Sequence, residues 1–473
     1  QYEVNGTWVD FETRTETINV VGGDPVEVTV RSTRHGPVIS EAYGPLMDVG
    51  DPEDKEFVPF KDRAGIDLPE NYVIALKWTA LTPSTPFQAI WGFNRAQNWQ
   101  EFRTAASGFH VPAQNLIYAD VDGNIGYQMP GDIPIRANGD GTLPVPGWTD
   151  EYEWTGFIPF EEQPYTLNPA EGYIVTANNR VPPRDYPYLI TYDWDYGFRS
   201  QRIVDMITSA PGKIDIAYIQ SMQGDSFDAN APLYVPMLLG MEGLSEEHVK
   251  LLEGWDYQDR VDSAAAAVFN AFWRHLLQNT FNDDLHDESY FPDGGSRWNE
   301  IMRNISPNSP WWDDKSTEGT VETREDILKK SFEEGIAELE DIFGRDTAKW
   351  NWGEMHASTF RNGTLGESGI GLIEDLFNRG PYPTSGGESI VNATGWSVRD
   401  GYETNWLPSM RMIVDLGDLQ NSVTVHTTGQ SGHAYHPHYD DMAPMWANIE
   451  YYAMLWNEQA IVSDAEGHLV LTP

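Results

Sequence analysis

The sequence predicts an α+β protein, and three observations carry that expectation. Residues 1 to 40 read as two or three strands, the spacing from about 205 to 380 turns mostly helical, and strands return after Ser385. Strands, helices and strands again within one chain imply segregated α and β layers. No Gly/Ser/Pro linker of useful length divides the 473 residues. One large core with insertions is therefore expected, as residues 1–204, a mostly helical insertion at 205–380, and a return to strands at 381–473.

Taken in order, residues 11 to 30 alternate well enough for an antiparallel pair, turning at Gly22-Gly23-Asp24 where glycine permits positive φ. Residues 41 to 70 are acidic and turn-rich, which predicts a surface position. The apolar run at 72 to 79, YVIALKWT, predicts a buried strand. Residues 98 to 107 have helical spacing, with Trp99, Phe102, Ala105 and Ala106 on one side, and 115 to 119 forms the next strand. Asp120, Asp122 and Asn124 alternate as in a calcium loop, but the downstream glutamate is missing and Ile125-Gly126-Tyr127 resumes a strand at once. A hairpin turning at Asp122-Gly123 is the better reading.

Tyr173, Ile174 and Val175 suit a strand with one buried face, which delivers the polar stretch Ala177-Asn178-Asn179-Arg180. Two amides and an arginine at a strand end can hold a developing negative charge. Asn-Asn is also an ordinary turn pair, and the residues alone favour the turn. Further on, Asp262-Ser263 can cap the amphipathic run AAAAVFNAFWRHLLQNTF, in which His275 has no matching ligand nearby and reads as structural. A second helix is expected at 323 to 343, with alternating charge on its exposed face, and strands at 389 to 393, 410 to 416 and 422 to 427.

Composition narrows the partners. Acidic residues number 73 against 30 basic ones, for a formal charge of −43, and the basic set holds nine Lys beside 21 Arg. Spread along the chain, this excess repels nucleic acid and anionic membrane. It reads as adaptation to high salt, where screening relieves self-repulsion. Aromatic residues make up 12% of a chain that is 40% hydrophobic, enough for a substantial packed core. The absence of cysteine excludes disulfides and thiol chemistry. No window approaches the ~18 uninterrupted apolar residues of a membrane span, and no secretory leader is evident, which leaves the compartment open.

Specific stretches then carry a resemblance. GYIVTANN (172 to 179), RDYP (184 to 187) and the Arg202-Ile203 pair occur in the order seen in the large chain of the penicillin acylase family of N-terminal nucleophile hydrolases. NGTWVDFETRTETINV (5 to 20), RSTRHGPVIS (31 to 40), IYADVDGNIGYQMPGDIP (117 to 134), LPVPGW (143 to 148), SGGES (385 to 389) and TGQSGHAYHPHYDDM (428 to 442) are similar in the same order. The likeness spans nearly the whole chain, more weakly from 205 to 380. It implies the four-layer αββα sandwich and an amide hydrolase whose N-terminal Ser, with its own α-amine as base, forms an acyl-enzyme.

Gln1 has neither hydroxyl nor thiol, so the nucleophile is expected from outside this sequence: from the N-terminal part of the large chain, with the small (α) chain of the same self-processed precursor as partner. Asn178 matches the asparagine that donates to the oxyanion, and Arg202 the arginine that orients it; Arg199 lies three residues earlier, but the Arg-Ile pair favours Arg202. The family's structural Ca2+ would take Asp193, with Asp195 second, and a carbonyl near Gly141. Substrates would be acylated amines, among them penicillins and N-acyl homoserine lactones, and family members are commonly exported, so an extracytoplasmic protein of a high-salt organism is expected.

Three other readings fit parts of the sequence. His433, His436, His438, Asp440 and Asp441 have metal-ligand spacing, yet match a loop that serves packing in the family. Gly429-Gln430-Ser431-Gly432-His433 lacks the closing glycine of a G-x-S-x-G elbow. A scaffold or surface homologue that lost its nucleophile remains the alternative from another class.

Overall fold

A computed structural model describes residues 1–40 and 71–472; the acidic stretch 41 to 70 lies outside the described residues. The chain divides into two units, Gln1–Ile174 with Val181–Tyr192, and Val175–Arg180 with Asp193–Pro473. Helices and short antiparallel ladders mix in both, as an α+β chain requires.

In the first unit, Glu12–Ile18 pairs with Val26–Thr33 in an unbroken register from Glu12 opposite Ser32 to Ile18 opposite Val26. The connection passes through Gly22 at φ +76°, the left-handed backbone that a side chain resists. Leu116–Ala119 and Ile125–Gln128 form the expected hairpin, joined on the far edge by Tyr165–Leu167. Asp120 closes its turn by accepting from the Asp122 and Asn124 amides at 3.0 and 2.9 Å, so the acidic loop serves the hairpin itself. Helix Trp99–Ala106 starts where Asn98 accepts from the Glu101 amide. It lays Trp99 on Gly126, where a Cβ would stand 2.5 Å from the indole.

The second unit is built around helix Ala264–Phe281, buried along both faces and packed on helix Arg324–Phe343. Ser263 caps the first, and Thr323 with Asp326 forms a reciprocal capping box on the second. The two backbones meet at Gly335, where a Cβ would lie 2.9 Å from the Ala271 carbonyl carbon and the Phe272 nitrogen. Phe269, Phe272, Leu276, Leu277, Phe332 and Leu339 fill the space between them. His275 is tied to Glu338 at 3.0 Å, and Arg274 and Tyr402 reach the same carboxylate. A second, smaller core gathers around Trp446 and Val425 beside the sheet of Met410–Ile413, Val423–His426 and Tyr452–Ala453.

Three expected strands are corrected. Among the described residues, 72 to 79 forms one bridge, from Ala75 to Val38, while Trp78 and Tyr72 stay about half exposed at 54% and 47%. Two backbone hydrogen bonds hold the stretch extended beside residues 37 to 39 before it coils into Thr79–Leu81. The run 173 to 175 forms no ladder among the described residues; Asn179 instead bridges to Asp195. Residues 389 to 393 turn, with Ser389 at φ +61°, and pairing begins later, between Gly395–Ser397 and Gly401–Trp406. An apolar run reports burial, and the ladder depends on a neighbour that local sequence does not name.

Candidate active site

The Asn178-Asn179 turn belongs to the second unit, and its backbone is pinned. The Asn178 carbonyl accepts from the Asp195 amide at 2.9 Å, and Asn179 folds its side-chain oxygen back to the Ala177 amide at 3.0 Å. Asn178 itself takes φ +64°, a left-handed conformation that asparagine tolerates better than most residues. Its side chain is exposed and therefore open to a partner.

What fixes that side chain is the helix Phe198–Thr208. Gly197, at φ +92°, turns the chain into it, and Arg199 in its first turn reaches back to the loop. Arg199 Nη2 donates to Asn178 Oδ1 at 2.9 Å and to the Ala177 carbonyl at 3.1 Å, with Asp195 at 3.5 Å. A guanidinium can only donate. The asparagine oxygen is thereby taken by the guanidinium, and Nδ2 has no hydrogen-bond partner among the described residues. Asp195 is held in turn by the Gly197 amide at 2.8 Å.

Arg202 does something else. One helical turn on, its Nε and Nη2 both bond Asp225 at 2.8 Å, a bidentate pair whose carboxylate is only 7% exposed. The guanidinium also stacks 4.4 Å over Phe227, and the carboxylate raises its pKa further. Gln258 completes Asp225 from the other side at 2.9 Å, and the Asp225 carbonyl takes the Asn392 amide. Asn392 is bound by Arg411 at 2.8 Å and holds the Ser385 carbonyl at 2.7 Å. The orienting contact expected of Arg202 is thus made by Arg199. Positions i and i+3 share one helix face, and the earlier one is nearer the loop.

Over residues 1–463 the chain matches the family described as Penicillin amidase. The chain belongs to that family. An acyl-homoserine lactone acylase, QuiP of Pseudomonas syringae pv. syringae (strain B728a), is 28% identical over 503 residues, covering 100% of this chain and 57% of its own length. Penicillin acylase 2 proenzyme of Pseudomonas sp. (strain SE83) is 28% identical over 97% of this chain and 56% of itself. The chain thus spans little more than half the length of these curated relatives. Among solved structures, the thermostable penicillin G acylase of Alcaligenes faecalis superposes with a TM-score of 0.63 at 21% identity, covering 100% of this chain and 84% of that one. The penicillin amidase chain therefore has the fold of an N-terminal nucleophile hydrolase.

Asp193 is exposed, and among the described residues no three His, Asp or Glu are gathered where they could hold a metal ion. The histidine loop is used internally: His438 bonds Asp441 at 2.6 Å and Glu466 at 2.9 Å, and Asp440 binds Arg379. Both carboxylates raise the His438 pKa. Three groups escaped the sequence reading: Arg199 as the touching arginine, Asp225 as the buried partner of Arg202, and Glu388. Glu388 bonds Trp406 at 3.3 Å, and burial raises its pKa while the charge of Arg199 opposes that rise. The i, i+3 pair of arginines was the one signal available beforehand.

Proposed function

We propose that the protein to which this chain contributes hydrolyses the amide of an acylated amine through an acyl-enzyme, and that Asn178 is its oxyanion donor. The observation that carries the reading is the Arg199 contact, which occupies Asn178 Oδ1 and leaves Nδ2 without a hydrogen-bond partner among the described residues. The names of the relatives support the reaction class: acyl-homoserine lactone acylase and penicillin acylase.

In this reading a serine Oγ attacks the amide carbonyl while the serine's own α-amine takes the hydroxyl proton. The carbonyl π electrons move onto oxygen, and Asn178 Nδ2 donates to that oxyanion. Collapse expels the amine, which leaves with the proton, and water repeats the sequence on the ester. A preorganised donor that pays no reorganisation is worth ~3–4 kcal/mol at the transition state. Arg199 acts through Asn178, by orienting it. The nucleophile is assigned to polypeptide beyond this sequence, in a precursor processed to two chains, and one relative is named a proenzyme. A net charge of −43 supports high salt as its setting.

The test is release of free amine from N-acyl homoserine lactones and phenylacetyl amides by the full-length, processed protein, followed by mass spectrometry of the acylated intermediate. Acylation of an N-terminal serine is expected. A processed, folded protein that releases no amine from any acylated substrate favours the scaffold alternative.

A further inference from the structure

In the first unit, the helix Pro86–Phe93 is apolar on both of its faces, and Gln88 is its one polar residue. Its inner face packs on the helix Trp99–Ala106. There Ala89 is buried, a Cβ on Gly92 would stand 2.7 Å from the Ala105 Cβ, and the Phe93 and Phe102 rings lie 5.0 Å apart. Phe87, Ile90 and Trp91, at i, i+3 and i+4, share the opposite face. They stay 76%, 47% and 59% exposed, and Trp78 and Leu81, just ahead of the helix, are about half exposed. A helix that is hydrophobic all round belongs in an interior.

Exposure alone does not set this face apart; its lack of charge does. Strand Glu12–Ile18 is exposed at every position, yet it carries Glu12, Arg14 and Glu16, and helix Arg324–Phe343 turns Glu325, Asp326 and Glu333 to solvent. Residues 78 to 94 carry no charge at all, in a chain that is 22% charged and holds 73 acidic residues. An aromatic face without charge has the composition of a permanent interface, which resembles a core cut in half. A second copy would bring another charge of −43 against the first, and the acidic stretch 41 to 70 suits a charge-free apolar face poorly. The relatives point to a different cover. QuiP and penicillin acylase 2 proenzyme match this chain over 57% and 56% of their own length, so each holds substantial polypeptide outside the match.

We propose that the outer face of helix Pro86–Phe93 is the docking surface for an apolar segment of the same protein that lies outside this sequence, with Phe87 and Trp91 as its aromatic anchors. The contact is permanent, part of the folded enzyme and not a transient encounter, because a face of this composition is costly to leave in water. The assignment rests on the reading that the protein includes polypeptide beyond this sequence, and on neither Asn178 nor the reaction.

Photo-crosslinking in the full-length, processed protein tests it, using Phe87→p-benzoylphenylalanine, an aromatic substitution that keeps the face apolar. Mass spectrometry is expected to find a cross-link to a peptide outside residues 1–473. A cross-link confined to this sequence, residues 41 to 70 included, a cross-linked pair of copies, or no cross-link at all overturns the docking surface. Ile90→Asp gives a second reading: a covered position should lose at least ~4 °C of Tm. A solvent-facing position tolerates aspartate, and an unchanged Tm likewise overturns the surface. Amine release is a separate readout. A protein that turns over acylated amines without the cross-link refutes the surface and leaves the reaction reading standing; the cross-link without turnover does the reverse.

Discussion

Replacing each of the two arginines of helix Phe198–Thr208 separates a positioning role from a structural one. Arg199→Ala removes a charge-assisted hydrogen bond to Asn178 Oδ1 and frees the amide to reverse. Such bonds are worth ~1.5–3 kcal/mol, which at ~1.36 kcal/mol per decade corresponds to a turnover lowered by about ten- to a hundredfold. Arg199 is half-buried and the loop stays pinned by the Asp195 amide, so Tm should fall little. Arg202→Ala instead strands Asp225, 7% exposed, without its bidentate partner. Leaving a buried carboxylate unpaired costs ~3–5 kcal/mol, so stability should drop and the turnover of the remaining folded enzyme should change less. The assay is kcat and KM on an acylated amine with the processed enzyme, beside urea unfolding of each variant. An Arg199→Ala enzyme with wild-type kcat refutes the orienting argument. So does an Arg202→Ala enzyme that loses turnover at unchanged stability.

Three further outcomes are expected. His356 is fully buried, donates through Nδ1 to the Tyr402 carbonyl at 2.8 Å, and has its pKa lowered by burial to about 4. Because the unfolded chain takes up that proton near pH 6.5, stability is complete above this value and declines as pH falls toward 4, by ~3 kcal/mol. Urea titrations between those limits should show the slope, and His356→Gln should flatten it. Gly335→Ala should cost ~1–3 kcal/mol, because its Cβ meets the backbone of the facing helix, and a neutral result in denaturant unfolding would place the two helices further apart. With 73 acidic residues the protein should lose far-UV dichroism on desalting; identical melting at molar and millimolar salt would remove the high-salt reading.

Much of the helical skeleton was legible because its signals are local. Ser263, Thr323 with Asp326, and Asn98 are caps whose partners lie three residues away in the chain, so spacing alone locates the helix starts. The hairpin at Asp122-Gly123 and the long pair turning at Gly22-Gly23 were legible for the same reason. The missed strands were those whose partners lie far off in sequence or outside any ladder, as at 72 to 79, where Val38 is the one bridge partner among the described residues. At the candidate site, Asn178 came from a motif, while the choice between Arg199 and Arg202 turned on where the helix begins relative to the loop. Asp225 gave no sequence signal among so many acids. Its significance comes from burial, which depends on the long-range packing of the second unit.

The central claim is that Asn178 Nδ2 faces the reacting carbonyl oxygen, and the most direct measurement is a crystal structure of the processed, full-length protein bearing a tetrahedral boronate or phosphonate adduct. The account predicts Asn178 Nδ2 within ~2.7–3.1 Å of the adduct's oxyanion, with Arg199 still on Oδ1. An adduct whose oxygen is held by other donors, with the Asn178 amide turned away from it, would contradict the account.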